Sequence, residues 1–108
     1  MDEINIEFIR KLCVNKNMRW TNHVLVRMLK RNITIPDVEN ALMTGEIIEQ
    51  YPNDYPYPSC LLLGLTVNNK YIHVVCGTNA LELYLITAYY PDPDEWSEDF
   101  RIRKEKSQ

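Results

Sequence analysis

The amino-acid sequence predicts an α+β domain in which N-terminal helices pack on one face of a four-stranded antiparallel sheet. Two observations lead there. Up to Gly45 the apolar residues recur at helical spacing, whereas from Glu46 onward they alternate with a period of two. The 108 residues hold no repeat or low-complexity stretch, and they fit one compact domain over 1–108.

Each element has its own signal. Ile4, Phe8, Ile9, Leu12 and Cys13 mark a helix over 4–14, with Asn5 or Asp2 as its cap. After the polar Asn15-Lys16-Asn17, the stripe Trp20, Val24, Leu25, Met28 and Leu29 predicts a second helix, capped by Thr21 or Asn22 and ending near Asn32. Thr34-Ile35-Pro36-Asp37 combines a cap, a first-turn proline and an acid three residues after the cap. Gly45 stops the helix that follows, over 35–44. Strands are expected over 47–51, 61–67, 70–76 and 82–90. Pro52, Pro56 and Pro58 keep the intervening loop out of helix, and Asn68-Asn69 predicts a two-residue hairpin turn. Pro91-Asp92-Pro93-Asp94 ends the last strand, and the charged tail, 97–108, reads as a short helix or as disordered.

The two-residue turn would set Gly64 opposite His73, and a five-residue link over 77–81 would set Leu85 opposite His73, with Thr87 one diagonal step away. One face then carries Leu61, Leu63, Ile72, Val74, Cys76 and Ile86 as core. The other carries Gly64, Thr66, His73, Thr87 and Tyr89. A glycine facing an imidazole predicts a concavity into which hydroxyls reach, the alternative being a half-solvated sheet face.

Composition and charge narrow the classes of function. No apolar run is long enough to span a bilayer, and Met1-Asp2-Glu3-Ile4 has neither the basic start nor the apolar run of a secretory signal, so a cytoplasmic protein is expected. Three cysteines without a close pair agree with a reducing compartment. The net charge of −3 conceals a division. Between Phe8 and Pro36 there are seven Lys and Arg residues and no acid, whereas from Asp37 to Phe100 there are eleven acids and only Lys70. Such segregation suggests an anionic site or a charged partner on the N-terminal third.

His23, Arg27 and Arg31 are spaced i, i+4 and i+8 and form one polar stripe on the second helix, with Lys30 beside them. An imidazole among guanidinium groups suits acid-base work on a phosphate, although such a stripe is also what a solvated helix face looks like. Two histidines, arginines and a tyrosine without an acidic cluster point to phosphodiester chemistry that needs no metal, because an RNA 2′-hydroxyl can attack its own phosphate. The spacings of His23, Cys60, His73 and Cys76 match no metal motif, and no Gly-rich phosphate loop exists, so no metal or cofactor is expected. Tyr55 and Tyr57 in the proline loop are further candidates for binding substrate or a partner.

Four stretches together carry a resemblance: the segment from His23 to Ile33 followed by Asp37-Val38 and Gly45-Glu46-Ile47-Ile48-Glu49; Tyr57-Pro58 followed by Leu62-Leu63-Gly64; His73-Val74-Val75; and Thr87-Ala88-Tyr89-Tyr90-Pro91 with Trp96 beyond. Over about 20–96 the chain resembles the bacterial family known as domain of unknown function 4258. The resemblance implies a fold similar to the RelE and barnase-like toxin superfamily, and metal-independent RNA cleavage by a toxin of a toxin-antitoxin pair. It also implies a small zinc-finger antitoxin of the YgiT type as partner. Carried across, His23, Arg27, His73, Thr87 and Tyr89 are the expected catalytic positions; the basic stripe and the proline loop, read on their own, add Arg31, Lys30, Tyr55 and Tyr57 as the expected substrate-binding ones. The alternative expectation is a non-catalytic module that binds a ligand or protein on the same fold.

Overall fold

The structure, a computed structural model, describes residues 3–105; Met1, Asp2 and tail residues 106–108 lie outside the described residues. Helix α1 (Ile6–Val14) is capped by Asn5, whose side-chain oxygen accepts from the backbone N–H groups of Glu7 and Phe8, and it buries Ile9, Leu12 and Cys13. Strand β1 (Met18–Trp20) follows and pairs in parallel with a later strand, β5 (Leu83–Tyr89). Helix α2 (Asn22–Lys30) starts from the Thr21 cap and buries Val24 and Met28. Helix α3 (Ile35–Thr44) has the expected capping box between Thr34 and Asp37 and ends at Gly45. That glycine is extended rather than left-handed. Its hydrogen is required by closeness, since a Cβ there would lie 2.4 Å from the Leu63 carbonyl oxygen.

The remaining strands are β2 (Glu46–Tyr51), β3 (Ser59–Leu65) and β4 (Tyr71–Thr78). The sheet therefore has five strands, not four, in the order β1-β5-β4-β3-β2, and it is mixed rather than wholly antiparallel. The α+β class holds. The added strand is the segment that contains Trp20, which lies in β1 opposite Leu85 and not on the helical stripe. Met18 and Trp20 turn toward the helices and join the core, while Arg19 turns to the other face.

Register also differs from the sequence expectation. Leu65 pairs with Tyr71, so the β3–β4 hairpin turns through Thr66 and Lys70 rather than at Asn68-Asn69 alone. Asn69 takes the left-handed conformation at φ 62°, the Thr66 hydroxyl accepts from the Asn68 and Lys70 amides, and Asp37 of α3 accepts from the Val67 amide. A helix side chain thus helps to set the turn. Leu63 faces His73, and Gly64 faces Ile72 on the helix side. Between β4 and β5, Thr78 pairs with Leu83 through a shorter link. A bulge at Ile86 then shifts the register so that His73 lies opposite Tyr89 rather than Leu85.

The helix-facing core holds Cys60, Leu62, Ile72, Val74, Cys76, Leu83, Leu85 and Ala88 against α1–α3. Leu61 and Leu63, expected there, lie on the opposite face and are nevertheless buried. The tail lies over this face, with Trp96 buried against His73. Instead of a helix, it forms a strap that folds back through a Trp96–Arg103 bridge, with Ser97 donating to Ile102 and Lys104 to Glu95. Among the described residues no helix is long and apolar enough to cross a membrane.

Candidate functional site

His73 is completely buried on the face away from the helices. Trp96 of the strap meets its ring edge-on at 4.4 Å, and Tyr89 meets it at 5.3 Å. Nε2 lies 2.9 Å from the Phe100 carbonyl oxygen and must donate to it. In the neutral ring Nδ1 is then free to accept from the Tyr89 hydroxyl at 3.3 Å. Burial lowers the pKa of His73, assisted by the Arg103 guanidinium and opposed by the Phe100 bond and by Glu49. Burial likewise raises the Tyr89 phenol, so the pair is a neutral imidazole against a protonated phenol.

Below this pair lies an ionic cluster. Arg103 donates to both carboxylate oxygens of Glu49 at 2.9 and 3.1 Å, stacks its guanidinium on Trp96 at 4.7 Å, and shares Glu49 with the Tyr51 hydroxyl. Burial would push Glu49 up, but the bonds from Arg103 and Tyr51 outweigh it and leave the carboxyl below its usual value. Tyr51 is pushed up to about 12 by burial and by Glu49. Arg101 pairs with Glu46, and Phe100 packs on Tyr71 at 5.9 Å. The strap is thereby fastened across β2 and β4.

At the other edge of β5, Arg31 at the end of α2 donates through one guanidinium nitrogen to the Thr87 hydroxyl at 3.2 Å and to the Ala88 carbonyl at 2.9 Å. This is the structural meaning of the i+8 spacing: the last arginine of the stripe reaches the sheet. His23, Arg27 and Lys30 stay exposed on α2 and make no side-chain hydrogen bond or ion pair among the described residues. Other members of the basic third are engaged, Lys16 with Glu39, Arg19 with Glu82, and Arg10 with the Leu42 and Gly45 carbonyls.

Arg31, Thr87, Tyr89 and His73 are therefore joined by hydrogen bonds or by adjacency along β5, and it is Arg31 of the α2 stripe that reaches the strand. Tyr55 and Tyr57 sit apart. Tyr57 stacks on Tyr84 at 5.3 Å, and Tyr55 is 91% exposed. The predicted concavity at Gly64 is absent, because Gly64 lies on the other face, where a Cβ would come within 2.3 Å of the Ala41 carbonyl of α3. Cys60 and Cys76 face each other at 3.9 Å in the core, and Cys13 is buried. Among the described residues no group of three His, Cys, Asp or Glu side chains could hold a metal. Sequence reading missed the partners of His73, namely Phe100, Arg103 and Glu49. The signal available was the pair of large aromatic residues, Trp96 and Phe100, within an otherwise charged tail.

Comparison with curated proteins and with solved structures finds no match. The model of the family described as Domain of unknown function (DUF4258) matches residues 20–90, from Trp20 at the end of β1 through α2, α3 and the four antiparallel strands. That span is well over half of the chain and includes His23, Arg27, His73, Thr87 and Tyr89, and the chain belongs to the DUF4258 family.

Proposed function

We propose that the protein is a toxin-type, metal-independent ribonuclease on a fold of the RelE and barnase-like kind, working where the α2 stripe meets β5. One observation carries this reading: the line from the Phe100 carbonyl through His73 to the Tyr89 hydroxyl, on the same strand as Thr87, the residue to which Arg31 at the end of α2 donates. Being buried, His73 does not touch substrate. It acts through Tyr89, and the proton path is balanced. The RNA 2′-hydroxyl gives its proton to the Tyr89 oxygen as it attacks phosphorus, and the Tyr89 proton passes to Nδ1 of His73. His23 then protonates the departing 5′-oxygen. Arg27 and Lys30, with no internal partner, hold the phosphate, while Arg31 and Thr87 fix the edge of β5 beside it.

Purified protein incubated with RNA, alongside His23→Ala, Arg27→Ala and Tyr89→Phe variants, tests the reading. Cleavage by the wild type should fall about 10²- to 10⁴-fold when an acid or base group is removed. RNA left intact by partner-free wild type would defeat it. The partner class that goes with this function is a small zinc-finger antitoxin, whose co-expression should relieve growth arrest caused by the wild-type chain.

A second reading, a non-catalytic binding module, is favoured by the engagement of both His73 nitrogens and by two recesses that share Pro56 and Tyr57. The larger, about 600 Å³, lies between the start of α1 and the Thr78-Asn79-Ala80 turn. A Tyr55→Ala, Tyr57→Ala double variant should then lose partner capture while keeping its fold. Unchanged capture would count against this alternative.

A further inference from the structure

The strap covers the β2–β4 part of the open face, and the part over β5 and the end of β4 is left bare. There the proline loop and the strands enclose a slot of about 190 Å³. Gly77 forms its floor, where a Cβ would stand 3.7 Å from the Ile86 Cδ1 and 3.0 Å from the Pro58 carbonyl oxygen. Ile86, turned to this face by the bulge, forms one wall and Tyr84, carrying Tyr57 on its ring, forms another. Tyr55 completes the lining with an almost fully exposed ring. We propose that this slot is a nucleobase subsite, taking the base of a nucleotide that flanks the scissile phosphodiester. The inference rests on RNA being the substrate of the neighbouring site.

Size, surface and charge agree on that occupant. The volume exceeds what a single water requires and lies below the ~300–1,000 Å³ of pockets for larger ligands, which suits one flat heterocycle. The walls are almost wholly apolar and rich in aromatic rings, a surface on which any base stacks. Asp54 is the charged residue in the lining. Its carboxylate already accepts from the Ser59 hydroxyl and the Tyr55 amide, so its charge keeps a phosphate out while the choice of base follows stacking, adenine over uracil. The cation stands outside the slot, where Arg19 lies 5.8 Å from the centre of the Tyr84 ring. Tyr84 and Tyr89 are five residues apart on one strand, about 16 Å at 3.3 Å per residue. A base in the slot therefore belongs to a nucleotide other than the one cleaved at Tyr89.

Fluorescently labelled 2′-O-methyl oligoadenylate and oligouridylate, which lack the attacking hydroxyl, measure binding without cleavage. The full-length protein should bind oligoadenylate more tightly than oligouridylate. Tyr55→Ala, at a fully solvated position, should weaken oligoadenylate binding by about 5- to 150-fold, the range found for loss of one stacked base. Adenosine 5′-monophosphate should shift the NMR signals of the three tyrosines lining the slot. Absence of binding to either oligonucleotide, or affinity unchanged in Tyr55→Ala, overturns the slot. If oligoadenylate binding depends on Tyr55 but unmodified RNA survives, the cleavage reading falls and the slot stands. If RNA is cleaved and Tyr55→Ala alters neither affinity nor base preference, the reverse holds.

Discussion

Replacing His73 separates its support of the fold from any catalytic part. His73→Ala removes the donation to the Phe100 carbonyl at 2.9 Å, the acceptance from Tyr89 at 3.3 Å, and the edge contact with Trp96 at 4.4 Å. With each hydrogen bond worth about 1 kcal/mol net and an aromatic edge pair about 0.5–1.5 kcal/mol, the loss is about 3 kcal/mol. In a domain of this size that is a fall in Tm of about 10–15 °C. The strap should loosen first, so trypsin should cut at Arg101, Arg103 and Lys104 sooner than in the wild type. His73→Gln can still donate to Phe100 from a nitrogen placed like Nε2, and it should recover part of the loss.

The pH dependence carries the second half of the test. An unfolded histidine takes up its proton near 6.5, whereas burial holds the folded His73 below that value. Between the two the unfolded chain binds more protons, so stability rises with pH there. The contribution of His73 is complete above about pH 6.5 and is lost as pH falls from there through the folded pKa. His73→Gln cannot titrate, and its stability should lack this component. A Tm for His73→Ala within about 2 °C of the wild type, or a wild-type pH slope that persists in His73→Gln, would show that the buried imidazole does not organise the strap.

Two further substitutions probe the scaffold and the basic stripe. Gly64→Ala would drive a Cβ to 2.3 Å from the Ala41 carbonyl and 2.7 Å from its Cα, and backbone cannot yield as a side chain does. The denaturant midpoint should drop by the equivalent of at least about 1–3 kcal/mol, and an unchanged midpoint would mean that α3 does not seat on β3 there. Arg27→Ala and Arg31→Ala should behave differently. Arg31→Ala gives up two hydrogen bonds to β5 and should lower stability by about 1–2 kcal/mol, whereas Arg27→Ala should leave Tm unchanged and lower only kcat/KM on RNA. Equal effects of the two on Tm would contradict the division of the stripe into a structural end and a free end.

What could be read from the sequence was what local chemistry determines. Thr34-x-x-Asp37 specifies its capping box within four residues, and the helices appear where caps and apolar stripes place them. The non-local elements were not legible in this way. β1 is three residues long and is defined by a parallel partner 65 residues later, so Met18-Arg19-Trp20 carries no signal longer than one alternation. The hairpin register depends on Asp37, which is remote in sequence and accepts from the Val67 amide beside the turn. Thr87 and Tyr89 share a face with His73 for a reason the sequence does not disclose. The shorter link moves Leu83 and Leu85 to the core, and the bulge at Ile86 then restores Thr87 and Tyr89 to the open side. Two shifts of opposite effect preserved the grouping of the candidate residues while changing its geometry.

That geometry makes Tyr89 the hinge between two halves of one sheet face. On one side its hydroxyl meets His73, whose burial depends on Trp96 and Phe100 of the strap, beyond the residues that match the family. On the other side, two residues back along β5, Arg31 binds Thr87 and the sheet lies open toward the slot at Tyr84. The strap thus supplies the dry surroundings that keep His73 neutral, and it leaves the Tyr84 end of the sheet face open. A histidine buried only to fill space could be replaced by an apolar side chain of similar volume without effect on the Tyr89 phenol. His73 is instead the acceptor 3.3 Å from that phenol, so His73→Phe should shift the Tyr89 titration followed by NMR, and an unchanged titration would show that the two side chains are not hydrogen-bonded in solution.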